Sequence, residues 1–304
     1  KGPVWGLPFA VKDYNDLAGV GTTYGSPLLA RNIATESDAT VRRLQDSGAI
    51  GKSNVPEWAG AHTFNPVFGH NLNPWSLKMS AGGSSGGSGA ALAAGMIPLA
   101  TGRDGGGSIR IPAALCGLSG IKTSQGRIPN GGPKPPGSGL LTVKGPMTVR
   151  IRDAAFALDQ CLGDEPTDIF SLPAPAQPWT PQIDGQLPKA VIWSPTMGIT
   201  MCDDEILGHC EQVIEKLRAE GVQVIERDPI WSENPFGAWL VFWTSARARA
   251  QGHLRGTPEW EKIDAALRPQ IEMGLDRFSG ADYARAIDRC HTLNPRSVEH
   301  TSVL

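Results

Sequence analysis

Glycine is the residue that most restricts this chain, because 17 of its 37 glycines fall in the 58 residues from Gly82 to Gly139. Runs of glycine lose the most backbone entropy on folding and offer no side chain to pack, which disfavours the interior of a helix or strand. Two clusters stand out. Gly82-Gly83-Ser84-Ser85-Gly86-Gly87-Ser88-Gly89 runs into a small-residue helix expected over Ala90–Gly95. Gly105-Gly106-Gly107-Ser108 runs into Ile109-Arg110-Ile111-Pro112-Ala113-Ala114. Each sets serine hydroxyls where a loop meets a helix N-terminus, whose free N–H groups favour negative charge. Consecutive glycines let those amides turn inward as a nest. Such a site suits a phosphate or the oxyanion of acyl transfer.

Motif chemistry separates these options. No lysine follows either cluster at the P-loop position, and Gly87-x-Gly89 is followed by Leu92 where the dinucleotide fingerprint needs glycine. The nucleotide reading fails. Gly82-x-Ser84-x-Gly86 and Gly83-x-Ser85-x-Gly87 match the nucleophile elbow of α/β-hydrolases. An elbow ends a hydrophobic strand, however, and Asn71–Met79 does not read as one. His209, His253, His291 and His300 offer no distinctive context for a triad.

Composition narrows the classes further. With 28 basic and 30 acidic side chains the net charge is −2, which gives no footprint for a nucleic-acid partner. The apolar segment near Ala90–Ala100 is too short for a membrane span. Five cysteines without a Cys-x-x-Cys pair argue against a disulfide scaffold and a zinc ribbon. Reduced thiols fit a cytoplasmic protein. No metal and no cofactor is expected.

The order of elements indicates an α/β fold. Leu7-Pro8-Phe9-Ala10-Val11 reads as a buried strand ending at Lys12-Asp13. Ser37 or Asp38 then caps a helix carrying Val41 and Leu44, closed by Gly48, and Ala49-Ile50 is a very short strand. Ala190–Trp193 is a strand, and Asp203 or Asp204 caps a helix with Ile206, Cys210, Val213, Ile214 and Leu217 on one face. Gly221 stops it before the strand Val222–Ile225. Strand, helix, strand with short connections implies a parallel crossover. Six prolines over residues 164–188 mark a surface excursion. Helical patterns follow near Phe236–Leu254, Pro258–Leu267 and Ala281–Leu293. Trp231, Trp239, Trp243 and Trp260 suit core or pocket wall.

The spaced motifs resemble the amidase signature family. They are Leu7-Pro8-Phe9-Ala10-Val11-Lys12-Asp13, the Gly-Gly-Ser-Ser-Gly-Gly run, Asp104-x-Gly106-Gly107-Ser108-Ile109-Arg110, Gly51–Glu57 and Gly117–Lys122. Ser84 and Ser108 are 24 residues apart, and Lys12 lies 72 before Ser84. The resemblance is close from about Gly6 to Asp159. It implies a mixed, largely parallel central sheet flanked by helices. It also implies one domain over residues 1–304, with motifs at 6–159, the excursion at 164–188 and the remainder at 189–304.

The resemblance further implies a Ser-Ser-Lys triad. Ser108 is the nucleophile, Ser84 a bridging serine beside a cis peptide bond, and Lys12 the base. A serine hydroxyl needs an adjacent base. Lysine serves only when neutral, which burial after Phe9–Val11 would favour. The amides of Gly105, Gly106, Gly107 and Ser108 form the oxyanion hole. Ser85, Asp104 and Arg110 support the nucleophile turn. Ser88 reads as a cap or loop hydrogen-bonder, Cys116 as a small core residue, and His62 and His70 as pocket lining. The expected reaction is hydrolysis of a linear carboxamide C–N bond through an acyl-enzyme. The expected partner is a small amide or ester, with no nucleic acid or membrane, and a homodimer is left open.

The chain also departs from the family pattern. Arg103 stands where a small hydroxyl residue is usual, and Gly105 replaces a commoner Thr or Ile. Gly48–Lys52 looks about two residues short, which would trim a strand. The family domain usually extends beyond both ends of this sequence, so an incomplete scaffold is expected. Two rivals follow: the ammonia-delivering component of a tRNA-dependent amidation complex, or an inactive truncated homologue. Gly137–Met147 lacks the Ser-Leu-Asp-Gln pattern associated with the former.

Overall fold

The computed structural model describes residues 2–44, 48–131, 141–185, 187–231 and 233–301, with side chains as far as 293. The chain forms two compact units. One comprises Lys1–Ile183 with Arg249–Ile271, the other Asp184–Ala248 with Glu272–Leu304.

The first unit begins with the expected apolar strand, β1 (Pro8–Lys12), followed by α1 (Ala39–Arg43) and β2 (Gly48–Ser53). Gly48 opens β2 instead of closing the helix, and the strand expected as Ala49-Ile50 runs six residues. The reason is non-local. Two glycines make this a weak strand by composition, but parallel pairing with β1 runs from Pro8 opposite Gly48 to Lys12 opposite Ser53. The register shifts between Phe9 and Ala10, so Ile50 is passed over and the ladder continues.

Two small antiparallel pairs follow, β3 (Phe64–Asn65) with β4 (Gly69–His70) and β5 (Leu72–Asn73) with β6 (Ser76–Ser80). The segment before Ser84 therefore does contain a strand. β6 is exposed along its whole length, so it is not the buried strand an elbow requires. Next come α2 (Gly86–Ala93), β7 (Leu99–Asp104), α3 (Arg110–Cys116), β8 (Ser119–Gly120), β9 (Val143–Thr148) and α4 (Ile151–Asp159). The central sheet has the order β2-β1-β7-β9-β8. β1 is parallel to β2 and β7, while β9 is antiparallel to β7 and β8. Four strands thus run one way and β9 opposes them, a mixed and largely parallel sheet.

Helices cover both faces. Phe9, Val11 and Leu99 pack with Val41, Leu44 and Leu158 of the α1–α4 side. Ala10, Ala100 and Met147 pack with Leu92, Ile109 and Ala113 of the α2–α3 side. The expected helix near Pro258–Leu267 is only a 3-10 turn, Trp260–Lys262. The Asp264 N–H, which would continue a helix, donates instead to Glu57 Oε2 at 2.7 Å. Trp260, Ile263 and Leu267 still join one core with Ile271.

In the second unit β10 (Ala190–Trp193) pairs in parallel with β11 (Gln223–Glu226) across α5 (Asp204–Ala219). Asp203 caps α5 by accepting from the Glu205 N–H at 3.0 Å. The apolar face read on α5 is not buried among the described residues, Ile206 and Val213 being more than half exposed. Then come α6 (Phe236–Gln251), α7 (Arg268–Asp276) and α8 (Gly280–Thr301). Trp239 and Trp243 stack at 5.2 Å.

The first glycine cluster works by close approach. A Cβ on Gly87 would sit 2.3 Å from the Asn54 nitrogen and 2.5 Å from its oxygen, to which the Gly87 N–H already donates. Both neighbours are backbone and cannot yield cheaply. Gly87→Ala is therefore expected to destabilise the protein by about 3 kcal/mol, the upper end of overpacking costs. A urea midpoint equal to the parent's would show that this packing is not tight.

Candidate active site

Alternation along β1 decides where each side chain points. Phe9 and Val11 enter one core and Ala10 the other. Lys12, two residues beyond Ala10, emerges on the α2 side and is fully buried. Its own N–H donates to Thr101 Oγ1 at 2.8 Å. Its Nζ lies 2.8 Å from Ser84 Oγ, 2.7 Å from Ser85 Oγ and 3.2 Å from the Arg103 carbonyl oxygen. The Tyr14 ring centre is 4.8 Å away.

No carboxylate contacts Nζ among the described residues. Burial pushes Lys12 well below an ordinary lysine, the Arg103 charge pushes the same way, and Asp104 opposes both. The neutral amine fits these contacts. It has two N–H donors and one lone pair, the Arg103 carbonyl can only accept, and each serine hydroxyl can donate or accept.

The Gly83–Ser84 peptide bond is cis. Ser85 stands at the N-cap of α2 but makes no side-chain cap bond, because its hydroxyl is on Lys12. The Ser85 N–H donates to the Ser108 carbonyl at 3.1 Å, which joins the two glycine loops. Ser88 bonds Ser53 Oγ at 2.8 Å and the Thr101 carbonyl at 3.0 Å, tying α2 to β2 and β7. Ser108 is 9% exposed, and its hydroxyl makes no hydrogen bond among the described residues. Lys12 and Ser84 are thus in direct contact, whereas Ser84 and Ser108 share no hydrogen bond.

Asp104 ends β7 and organises the second loop. Its fully buried carboxylate accepts from the N–H groups of Gly107 at 2.7 Å and Ile109 at 3.1 Å. Arg110 adds a fork, Nε at 3.0 Å and Nη2 at 3.1 Å. Burial alone would raise this carboxyl, but the Arg110 and amide hydrogen bonds outweigh it and hold Asp104 below its usual range. The hydrogen bond to Asp104 in turn pushes Arg110 up.

These contacts correct the expected oxyanion hole at one position. The Gly107 amide is committed to Asp104, to whose Oδ1 it donates at 2.7 Å. The amides of Gly106 and Ser108 make no hydrogen bond among the described residues, and Gly105 lies beside them in the loop. Gly107 itself has φ +110°, where a Cβ would meet Ile111 Cδ1 at 2.8 Å.

Other residues have plainer surroundings. Cys116 is buried with its Sγ 3.7 Å from the Ala81 carbonyl. His70 packs on Phe64 with ring centres 4.3 Å apart. Among the described residues no group of three or more His, Cys, Asp or Glu is arranged to hold a metal ion. Residues 137–140, the start of the segment compared with amidotransferases, lie outside the described residues. Tyr14 and Thr101 carry no motif signal in the sequence, and Arg103 stands out there only as a departure. A period of two past Lys12 points to Tyr14, whereas Thr101 and Arg103 lie on the opposite face of β7 from Asp104 and have no such signal.

The family model described as Amidase matches residues 1–289. The chain belongs to the amidase signature family. It is 36% identical over 297 residues to an acylamidase of Rhodococcus erythropolis, covering 94% of this chain and 60% of that protein. It is 38% identical over 295 residues to the A component of the glutamyl-tRNA(Gln) amidotransferase of Roseiflexus castenholzii, covering 94% and 59%. The structure of a 6-aminohexanoate cyclic dimer hydrolase in complex with substrate superposes with a TM-score of 0.89 at 26% identity, covering all of this chain and 66% of that one. The chain therefore spans about three-fifths of the length of the curated relatives it matches. No described helix of this amidase-family chain is long and apolar enough to cross a membrane.

The lowered Lys12 has a stability signature. Between its native value and about 10.4 the unfolded chain binds more protons at this site than the folded one, so stability rises with pH there. Lys12→Met removes that dependence. Relative to the parent, the variant is expected to be most favoured near pH 7, with the difference shrinking as pH approaches about 10. A difference in unfolding free energy that stays constant from pH 7 to 10 would contradict a depressed Lys12.

Proposed function

We propose that the protein hydrolyses a carboxamide C–N bond through an acyl-enzyme on Ser108, with Lys12 as base and Ser84 as the bridge between them. The observation that carries this reading is the fully buried Lys12 amine, 2.8 Å from Ser84 Oγ and without a carboxylate partner among the described residues. Lys12 takes the Ser84 proton into its lone pair as Ser84 takes the Ser108 proton. The Ser108 oxygen attacks the carbonyl carbon, and the amides of Gly105, Gly106 and Ser108 receive the oxyanion. Lys12, now charged, returns the proton through Ser84 to the leaving nitrogen, and the C–N bond breaks. A water molecule then gives its proton to Lys12 by the same route and attacks the ester. Ser108 recovers its hydrogen as the acid leaves. Asp104 and Arg110 fix the loop, and Ser85 fixes the amine.

The proposed substrate is a linear amide or ester, on the analogy of the acylamidase. A cyclic amide is the alternative, on the analogy of the cyclic dimer hydrolase. A second reading, the ammonia-delivering component of a tRNA-dependent amidation complex, is supported by the 38% identity to the amidotransferase protein. Co-purification with the other components of such a complex and glutamine-dependent ammonia release would favour it. We place the protein in a reducing cytoplasm, because all five cysteines are free.

Ser108→Ala is expected to abolish turnover and labelling by a fluorophosphonate. Lys12→Ala is expected to slow both by at least about 100-fold, the usual contribution of a positioned base. Undiminished labelling of Ser108→Ala would move the nucleophile elsewhere.

A further inference from the structure

Burial favours an uncharged Lys12 before the reaction, but the same burial makes the charge it must carry afterwards costly. Once the amine bonds the Ser84 proton, its lone pair is used and a positive charge sits on Nζ. Its hydrogen-bond partners among the described residues are two serine hydroxyls and the Arg103 carbonyl, all of them neutral. A further neighbour is the ring of Tyr14. Nζ lies over that ring, 4.8 Å from its centre. The negative face of an aromatic ring attracts a cation within about 6 Å, and does so most strongly out of water.

We propose that Tyr14 is a positioning residue for the reaction: the face of its ring stabilises the positive charge that Lys12 acquires with the proton. This rests on the reading of Lys12 as base. The ring gains far less from a neutral amine than from an ammonium, so the attraction grows as the proton arrives. Only an interaction that strengthens toward the transition state speeds the step. A carboxylate in the same place would charge the lysine beforehand and remove the lone pair.

The ring is held from several sides. Tyr14 stands buried in the turn after β1, which the Asn15 N–H closes by donating to the Lys12 carbonyl at 2.8 Å. Its hydroxyl donates to the Pro56 carbonyl, and its ring stacks with Tyr24, 5.9 Å between centres and 15° apart in tilt. The charged groups around the amine have other partners. Asp104 of β7 also favours the ammonium, but Arg110 forks its oxygens at 3.0 and 3.1 Å; the Arg103 charge opposes it. Asp13 is ion-paired with Lys52 of β2 at 3.1 Å, and Lys144 of β9 with Asp38. Asp16 accepts from the Tyr24 hydroxyl at 3.3 Å. From the loop entering α2 come the hydroxyls of Ser84 and Ser85.

The test is the rate of inactivation by a fluorophosphonate as a function of pH, in the parent, Tyr14→Leu, Tyr14→Phe and a variant with pentafluorophenylalanine in place of Tyr14. Phe keeps the negative ring face, and the fluorinated ring keeps the shape but reverses the face. The parent rate is expected to rise with pH to a plateau. In Tyr14→Leu and the fluorinated variant the plateau is expected to fall about tenfold. The midpoint of the rise is expected about one pH unit lower, because the charged amine has lost a stabilising partner. Tyr14→Phe is expected to stay near the parent in both. Should Tyr14→Leu not fold, the comparison of Phe with its fluorinated form decides alone. Equal plateaus and midpoints in that pair overturn the proposal, as does a fall with an unmoved midpoint, which a merely structural role would give. If Lys12→Ala inactivates at the parent's rate across the range, the reading of Lys12 as base fails instead.

Discussion

A lysine amine held out of water, with serine hydroxyls in place of a carboxylate, is the condition on which the rest of the first unit depends. Desolvation favours the neutral form, and only the neutral form has a lone pair to offer. The surroundings maintain that state. Phe9 and Val11 bury the strand that carries Lys12. Thr101 pins its backbone, and Ser84 and Ser85 satisfy the amine without adding negative charge. A carboxylate at either serine would give an ordinary ion pair and a charged lysine.

The second loop solves a complementary problem. Asp104 is buried beside that amine and would favour its charged form, so its own charge has to be absorbed locally. Arg110 and the amides of Gly107 and Ile109 do this while folding the chain into the turn that presents Ser108. One carboxylate thus sets the loop geometry, and its pull on Lys12 is outweighed by burial of the amine. The single N–H between Ser85 and the Ser108 carbonyl links the two loops. In the proposed reaction the nucleophile and its bridge move as one frame.

Much of the site could be read in the sequence because its motifs are local and crowded. The spacing of Lys12, Ser84, Asp104 and Ser108 identified the family, and the apolar run before Lys12 foretold its burial. What could not be read depends on contacts distant in sequence. β2 carries two glycines and is a strand because β1 pairs with it. β9 contains Gly145 and Pro146 and has no periodicity of its own, yet it lies antiparallel to the whole of β7. The helix expected near Pro258 stops because its amide goes to Glu57. Glycines in the first cluster looked like an amide nest, but Gly87 is there because Asn54 leaves no room for a Cβ. Periodicity and propensity report a segment's own preference, and each of these outcomes was decided by a partner elsewhere in the chain.

The central claim is that Lys12 is uncharged in the folded protein near neutral pH. Titration of the Lys12 Nζ by nitrogen NMR, assigned by its absence in Lys12→Met, tests it most directly. The expected result is a neutral-amine signal at pH 7 to 8, with a midpoint well below the ordinary value of about 10.4. A Lys12 resonance that stays an ammonium at pH 8 and titrates near 10.4 would contradict the account.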